Sequence, residues 1–150
     1  MIFEEITFED ILPFWRDKLW PGRKLPIEPA SAMLYLGDYD SYIKHAYTPR
    51  FFAVKDQDQI IGVNSGHQTN SMFYRSRGIW VDPTSTLKGA GRMLIAAVEK
   101  AGQEAGCGLL WSAPRQSALP FYLKCGFIKT SGFFDDGMEF GPNCYVLKGI

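Results

Sequence analysis

The chain has 150 residues, of which 46% are hydrophobic and 15% aromatic. This length is typical of a single domain with a hydrophobic core, here residues 1–150, and the composition excludes a disordered chain. Sixteen Lys and Arg balance sixteen Asp and Glu, which disfavours nucleic acid and anionic membrane surfaces as partners. No apolar run reaches the ~20 residues of a membrane helix. Three cysteines without metal-ligand spacing predict reduced thiols, no metal site and a cytoplasmic protein.

The N-terminal part of the chain predicts a strand, a helix and a loop. Residues 2–6 alternate in polarity as a half-buried strand does. Thr7 follows as a candidate N-cap of a helix. Residues 19–29 hold too many prolines and glycines for regular structure, so this loop, with Trp20, either packs over the protein or forms part of a binding wall. Residues 31–47 are expected to be helical in parts.

A hairpin and a long strand are predicted for the middle of the chain. Apolar runs at 51–54 and 60–63, separated by a polar turn, predict a β-hairpin. Its second strand is expected to end or bulge at Gly66-His67. Residues 72–81 predict the next strand, which ends before Pro83 because proline lacks an N–H and disfavours helix at its predecessor.

The second half of the chain predicts a long helix followed by short elements. Apolar side chains recur on one helical face from Leu87 to Ala105, and Gly106 stands where a left-handed cap ends a helix. The remaining predicted elements are a buried strand at 109–111, a short helix from 116 or 117 with Pro120 in its first turn, a strand at 127–134, a loop at 135–142 and a final strand at 144–147.

Two glycines at the start of the long helix predict a phosphate site. Gly89 and Gly91 let a ligand approach the backbone, and the first N–H groups of a helix have no partner within it. The helix dipole and the cations Lys88 and Arg92 add a positive potential at the same place. The alternative is that these glycines only permit close packing.

Two motifs follow one another at a fitting distance in this half of the chain. The first runs from Val81-x-Pro83 to Gly89-x-Gly91, and the second is the stretch 118–127, ALPFYLKCGF. They resemble the V-x-P…[RQ]-x-x-G-x-[GA] and A-x-x-F-Y-x-x-x-G-F motifs of the GNAT superfamily, the acetyl-CoA-dependent N-acetyltransferases. Thr86 departs from the pattern, since the family usually has Arg or Gln at that position.

The resemblance implies both a fold and an activity. The fold is the α/β (α+β) GNAT fold, a mixed, mainly antiparallel sheet of six to seven strands with about four helices. The activity is direct transfer of acetyl from acetyl-CoA, without a metal, to a primary amine of a small molecule, such as an aminoglycoside-like or polyamine-like cation. Acetylation of a protein or aminoacyl-tRNA amine and a non-catalytic coenzyme A-binding module are the alternatives. Apolar edges at the C-terminal strands leave a homodimer open.

The resemblance also locates the acyl donor. The strand backbone before Pro83 is expected to pair with the pantetheine arm, and the amides at the helix start to hold the pyrophosphate. Arg115, where relatives carry Asn, either reaches a phosphate of the coenzyme or lies in solvent. The residues predicted to bind the coenzyme are Ile79, Trp80, Val81, Leu87, Lys88, Gly89, Ala90, Gly91, Arg92, Met93, Arg115 and Ala118.

Tyr122 and His67 are the predicted catalytic residues. By the resemblance, Tyr122 donates a proton to the coenzyme A sulfur, and a phenol with a pKa of ~10 suits that role; the alternative is an aromatic packing residue. Residues 72–80 lack the Glu or His that serves many relatives as base. His67, whose ordinary pKa lies near neutrality, is therefore predicted as the general base. A structural role for it, or a water relay ordered by Ser76 and Tyr74, is the alternative.

The acceptor side is the least determined part of the site. Arg75 and Arg77 are equally compatible with solvent exposure, acceptor contact and catalysis. The acidic loop 135–139 is either a recognition site for a cationic amine or an exposed turn. The opposite wall is predicted to be formed by Trp20, Tyr35 and Tyr39.

Overall fold

A seven-stranded sheet runs through the protein, whose computed structural model describes residues 1–135, residues 138–150 and, at Leu87, the backbone alone. Its strands are β1 (Ile2–Ile6), β2 (Arg50–Asp56), β3 (Gln59–Gln68), β4 (Phe73–Val81), β5 (Leu109–Ser112), β6 (Ile128–Lys129) and β7 (Val146–Gly149). They lie in the order β1-β2-β3-β4-β5-β7-β6. Neighbours are antiparallel except for the parallel pair β4 and β5. The predicted mixed, mainly antiparallel sheet is confirmed.

Four α-helices accompany the sheet: α1 (Phe8–Phe14), α2 (Ile43–Ala46), α3 (Ala90–Glu104) and α4 (Leu119–Lys124). Thr7 and Asp10 exchange side chain-to-backbone hydrogen bonds in a capping box that starts α1. One turn of π-helix, Trp15–Leu19, continues α1. α3 ends at Glu104, and Gly106 has the left-handed φ of 83° predicted for its cap. The N–H groups of Gly106 and Cys107 donate to the Gln103 and Gly102 carbonyls at the end of the helix.

Two helical predictions are corrected. The long helix begins at Ala90 rather than Leu87, because Pro83–Lys88 forms a 3₁₀-helix and Gly89 takes a φ of 85° between the two helices. Within residues 31–47 the only α-helix is the single turn α2. Leu36, Gly37 and Asp38 all have positive φ there, and a tight turn at these residues replaces helix.

The C-terminal strands are shorter than predicted. Of the expected strand at 127–134, only the two residues of β6 form a strand. The Ser131 hydroxyl accepts from the Tyr145 N–H at 2.8 Å, so a side chain takes the place of a backbone partner in the ladder. Pairing returns only as an isolated bridge between Phe134 and Asn143, and the last strand begins at Val146.

The predicted bulge at Gly66-His67 is wrong. β3 continues through both residues to Gln68, and the register shifts instead between Val63 and Ser65. Gly66 is required for a different reason, since a Cβ there would lie 2.4 Å from the ring of Tyr74.

Gly78 lies in this bulge and contacts the end of α1. Gly78 and Ile79 together oppose the single residue Asn64. Gly78 has a φ of 80°, and its carbonyl accepts a hydrogen bond from the indole N–H of Trp15 at 2.8 Å. A Cβ at this position would lie 2.4 Å from the Trp15 Nε1 atom. The bulge and the tryptophan therefore fix each other's position.

Both faces of the sheet are covered. On one face, α3 packs Leu94 and Val98 into a cluster with Phe52 that extends to Tyr122 of α4. On the other face, α1 and its continuation pack against Phe51 and Ala53, which alternate with Phe52 and Val54 along β2. All three cysteines are buried and free. No helix in the described ranges is long and apolar enough to cross a membrane.

Replacing Gly78 with Ala tests the bulge. The added methyl group requires a positive φ, at a cost of roughly 1–2 kcal/mol, and overlaps the Trp15 indole as well. We expect the free energy of unfolding in urea to fall by about 2–4 kcal/mol. Gly132→Ala is the control, because a Cβ there meets nothing within 4 Å, and it should change stability by less than about 0.5 kcal/mol. Equal effects of the two substitutions would contradict this account of the bulge.

Candidate active site

A gap opens in the sheet between β4 and β5. The two strands pair from Phe73 to Arg75, where Arg75 lies opposite Trp111, and then separate. At the point of separation the Ser112 hydroxyl donates to the Ser76 carbonyl at 2.8 Å, in place of a backbone bond. A cavity of about 1140 Å³ occupies this β4–β5 gap and extends over the loop after α1, the start of α3 and α4.

The start of α3 forms one end of the cavity. The first hydrogen bond of this helix joins the Met93 N–H to the Gly89 carbonyl at 3.2 Å, and no side chain caps the helix. The N–H groups of Ala90, Gly91 and Arg92 precede that bond, so they have no partner within the helix. Gly89, Gly91 and Arg92 line the cavity. This end can hold phosphate oxygens with three amides, one cation and the helix dipole, whereas the Met93 amide is already engaged.

Three other predicted coenzyme contacts lie in different surroundings. The Lys88 ammonium donates to Asp56 at 2.6 Å, on the exposed side of the 3₁₀-helix. The Leu87 side chain lies outside what the structure describes. Arg115 is partly buried, lines the cavity and donates to the Leu19 carbonyl, which argues against a side chain lying free in solvent. Its contact with a phosphate remains a prediction.

The edge of β4 forms the long wall of the cavity. The Asp82 N–H donates to the Ile61 carbonyl of β3 at 2.8 Å. Because backbone groups alternate along a strand, the N–H and carbonyl of Val81 point away from β3 and into the gap. Ile79, Trp80 and Val81 all line the cavity there. An unpaired strand edge of this kind can hydrogen-bond the amides of an extended ligand.

Tyr122 lies beside the point where the strands separate. α4 holds its ring edge-on between Phe121 and Phe127, at centroid distances of 5.5 and 5.2 Å. Only 3% of the residue is exposed, and its hydroxyl lies 3.4 Å from the Ser112 hydroxyl. Burial raises the pKa of Tyr122, so the phenol is protonated at neutral pH. Ala118, one turn earlier, also lines the cavity.

His67 does not reach the cavity. It is fully buried, and the Ser31 N–H donates to its Nε2 at 3.4 Å. Nδ1 therefore carries the proton and donates to the Gln68 carbonyl at 3.0 Å. Burial, and then the charge of Arg75, lower the pKa of His67 to about 3. Both ring nitrogens are engaged and the imidazole stays neutral, which argues against the predicted role of general base.

Of the two residues predicted to order a water relay, Ser76 lies at the cavity and Tyr74 does not. Tyr74 packs under α3 in the core and is 2% exposed. Ser76 lines the cavity, and its hydroxyl accepts from the Asn64 side-chain amide at 2.9 Å. Sequence reasoning did not identify Asn64 or Ser112 as part of this polar cluster. Single polar residues within apolar strand runs are the only signal that they leave in the sequence.

Arg75 and Arg77 are buried and line the cavity, so solvent exposure is excluded for both. Arg77 donates to the Glu28 carbonyl at 2.8 Å, and its guanidinium lies 5.3 Å from the Trp20 ring centroid. The Arg75 guanidinium lies 4.7 Å from the ring centroid of Trp111. Burial lowers the pKa of Arg75 to about 10 and that of Arg77 to about 9. Both remain cations at neutral pH.

The acidic loop contributes one described carboxylate to the cavity wall. Glu139 accepts from the backbone N–H groups of Lys24 and Leu25 at 2.8 and 3.0 Å, and these bonds lower its pKa. They also tie the 19–29 loop over the cavity, as its predicted role in a binding wall requires. Asp136 and Gly137 lie outside the described residues.

The predicted aromatic wall is formed in part. Trp20 and Tyr39 line the cavity, while Tyr35 stacks on Phe73 at a centroid distance of 5.3 Å in a separate cluster with Trp111. In the described part of the chain, no group of three His, Cys, Asp or Glu is arranged to hold a metal ion.

Solved structures share this fold along the whole chain. An aminoglycoside 6′-N-acetyltransferase complexed with coenzyme A aligns with a TM-score of 0.67 at 13% identity, covering 99% of this chain and 97% of that one. The IAA acetyltransferase from Bacillus cereus ATCC 14579 aligns at 0.67 and 17% identity, covering 99% of each chain. A protein of Lactobacillus plantarum reaches 0.70 at 15% identity with the same coverage. At these identities the likeness establishes the fold.

Sequence comparison establishes the family. No curated protein sequence matches the chain. The model of the Acetyltransferase (GNAT) family matches residues 12–127, most of the chain, including β4, the glycines at the start of α3, and Tyr122. The match agrees with the β4–β5 gap, the uncapped α3 start and the tyrosine beside them. The chain belongs to the acetyltransferase (GNAT) family.

Proposed function

We propose that this acetyltransferase moves the acetyl group of acetyl-CoA directly to the primary amine of a small molecule, in the cavity between β4 and β5. The observation that carries the proposal is the Tyr122 hydroxyl, protonated and buried beside the point where the strands separate. Residues 1–150 would act as one domain, consistent with relatives of similar length.

The residues of the cavity fit the acyl donor in two places. The free amides at the start of α3, with Arg92 and Lys124 in the cavity wall, supply donors and positive charge for the phosphates. The edge of β4 at Val81 supplies a backbone N–H and carbonyl for the amides of the pantetheine arm. Acetyl-CoA supplies an activated thioester, and these contacts would bring its sulfur toward Tyr122.

The Tyr122 hydroxyl is the proton donor in this proposal. When the acceptor nitrogen bonds to the acetyl carbon and the carbon–sulfur bond breaks, the phenol gives its proton to the departing thiolate. The Ser112 hydroxyl oxygen, 3.4 Å away, would orient the phenol. The Ser112 hydroxyl itself is positioned by the Ser76 carbonyl.

The acceptor nitrogen would lose its proton without a dedicated side-chain base. Glu139, the one described carboxylate in the cavity wall, accepts two backbone hydrogen bonds that lower its pKa. His67 is buried away from the cavity with a pKa of about 3. The amine therefore enters as its neutral fraction. Water in the open cavity takes the proton that the nitrogen loses on acylation and returns a proton to the Tyr122 phenolate, so that no net proton is consumed.

Tyr122→Phe tests the proton donor. With an amine found by a thiol-release screen, we expect kcat to fall about 100-fold, the lower range for loss of a general acid. The KM for acetyl-CoA should change less than about twofold, because the ring and its packing remain. Tyr42→Phe, at an exposed position, is the control. An unchanged kcat in Tyr122→Phe would remove this residue from the mechanism.

Arg92→Gln tests the phosphate end. Calorimetric titration should give a Kd for acetyl-CoA raised about two- to fivefold, as is typical for loss of one exposed ionic contact. The difference from wild type should shrink at high salt, which screens that contact. Lys100→Gln removes an equal charge from an exposed position further along α3 and should leave the Kd unchanged. Equal effects of both variants would indicate general charge rather than a local site.

His67→Gln separates the catalytic role of His67 from its structural role. The pH profile of kcat/KM should keep its shape and rise with the neutral fraction of the amine, because the pKa of about 3 leaves His67 neutral throughout. If the wild-type profile of kcat/KM shows an ionisation near pH 6.5 that His67→Gln lacks, His67 is the general base after all.

The same substitution predicts a change in acid stability. The unfolded chain protonates His67 below about pH 6.5, whereas the folded chain does not until about pH 3. As the pH falls through this window, wild type should lose stability relative to His67→Gln, by up to about 1.4 kcal/mol per pH unit. Parallel urea-unfolding curves at pH 7 and pH 4.5 measure the difference. No difference between the proteins would contradict the lowered pKa of His67.

A further inference from the structure

The acceptor side of the cavity is lined by cations. Arg75 and Arg77 are two residues apart on β4, so their side chains lie on the same face of the sheet. The aromatic rings that they contact, those of Trp15, Trp20 and Trp111, belong to the clusters away from α3. Arg23 and Arg115 add two further guanidinium groups to this wall. Within the described ranges, Glu139 is the one carboxylate in the cavity wall, so this side is strongly positive.

Three of these four arginines have hydrogen-bond partners within the protein. Each donates to a backbone carbonyl of the loop that covers the cavity. The pairs are Arg23 with Leu25 at 3.1 Å, Arg77 with Glu28 at 2.8 Å, and Arg115 with Leu19. Arg77 and Arg115 thereby tie the loop to the rest of the protein, whereas the Arg23 bond lies within the loop.

Arg75 is different. Its Nε and Nη1 atoms are buried and have no hydrogen-bond partner among the described residues. It lines the cavity, and the Trp111 ring beside it provides a face for the guanidinium but no acceptor atom. A buried cation without an acceptor is costly, so a group that enters the cavity is the natural partner.

We propose that Arg75 binds a carboxylate of the acceptor, so that the substrate is a small amine that also carries a carboxylate. The planar guanidinium presents paired N–H donors in the geometry of a carboxylate. Trp20, Met33 and Tyr39 line the cavity as well, which gives the body of such a substrate an apolar surface. This inference rests on the proposed function and revises the expectation of an aminoglycoside-like or polyamine-like cation.

Matched acceptors test the proposal. The protein saturated with coenzyme A is titrated with ω-amino acids of graded length and with aminomethylbenzoates, each beside its carboxamide. We expect at least one carboxylate to bind at least about tenfold more tightly than its carboxamide, the value of a charge-assisted hydrogen bond. The same preference should appear in kcat/KM for acetyl transfer.

Variants of Arg75 assign the preference to that residue. Arg75→Gln should abolish the discrimination between carboxylate and carboxamide, and Arg75→Lys should retain part of it. Arg16→Gln, at an exposed arginine paired with Asp17, should retain all of it. The melting temperature of Arg75→Gln should stay equal to that of wild type or rise, because a buried unpaired charge is removed. An arginine with only a structural role would lower the melting temperature and leave the discrimination intact.

The outcomes separate this inference from the proposed function. If coenzyme A binds but no carboxylate is preferred over its carboxamide, the carboxylate site is wrong while acetyl transfer stands. If Arg75→Gln slows transfer to both members of a pair equally, the guanidinium acts on the thioester carbonyl, and the carboxylate assignment is again overturned. Failure of coenzyme A itself to bind would contradict the proposed function.

Discussion

The separation of β4 from β5 is the feature on which the rest of the site depends. Parallel neighbours in a sheet normally pair along their length, yet here backbone pairing stops at Arg75 and Trp111. Two local features accompany the separation. The bulge at Gly78, held by the Trp15 indole, bends β4. The Ser112 hydroxyl donates a hydrogen bond to the Ser76 carbonyl, which would otherwise remain unpaired. The opened edge is the proposed binding surface because its backbone groups still need partners.

The gap connects the two faces of the sheet, and the residues that line it differ in chemistry between those faces. On the α3 side, bare amides and the buried Tyr122 suit a phosphate-bearing thioester. On the other side, stacked arginines and tryptophans suit a small amine with an anionic group. A buried guanidinium without a partner, such as Arg75, costs stability in the free protein. Its retention is reasonable where a substrate completes its hydrogen bonds, a common trade between stability and function at binding sites.

Most of the fold, and the helix start proposed to hold the donor phosphates, could be predicted from the sequence because they depend on local signals. Thr7, Gly106 and the glycines near residue 90 each act on backbone groups only a few residues away, so their effect can be predicted from the neighbouring sequence. The acceptor side depends on long-range packing. The ordinary pKa of His67 lies near neutrality, but burial and the charges of Arg75 and Arg77 lower it to about 3 in the folded protein. The sequence left Arg75 and Arg77 open between solvent exposure, acceptor contact and catalysis, because the tryptophans that cover them come from distant segments of the chain. The short β6 likewise depends on a side-chain contact, from Tyr145 N–H to Ser131, that no local pattern encodes.

The most direct test of this account is a crystal structure of the protein with coenzyme A. The account predicts that the pyrophosphate lies at the N–H groups of Ala90, Gly91 and Arg92. It also predicts that the pantetheine arm follows Val81 along β4, with the sulfur within hydrogen-bonding reach of the Tyr122 hydroxyl. Coenzyme bound elsewhere, or bound in the gap with its sulfur remote from Tyr122, would contradict the central claim that the separation of β4 and β5 forms the transfer site.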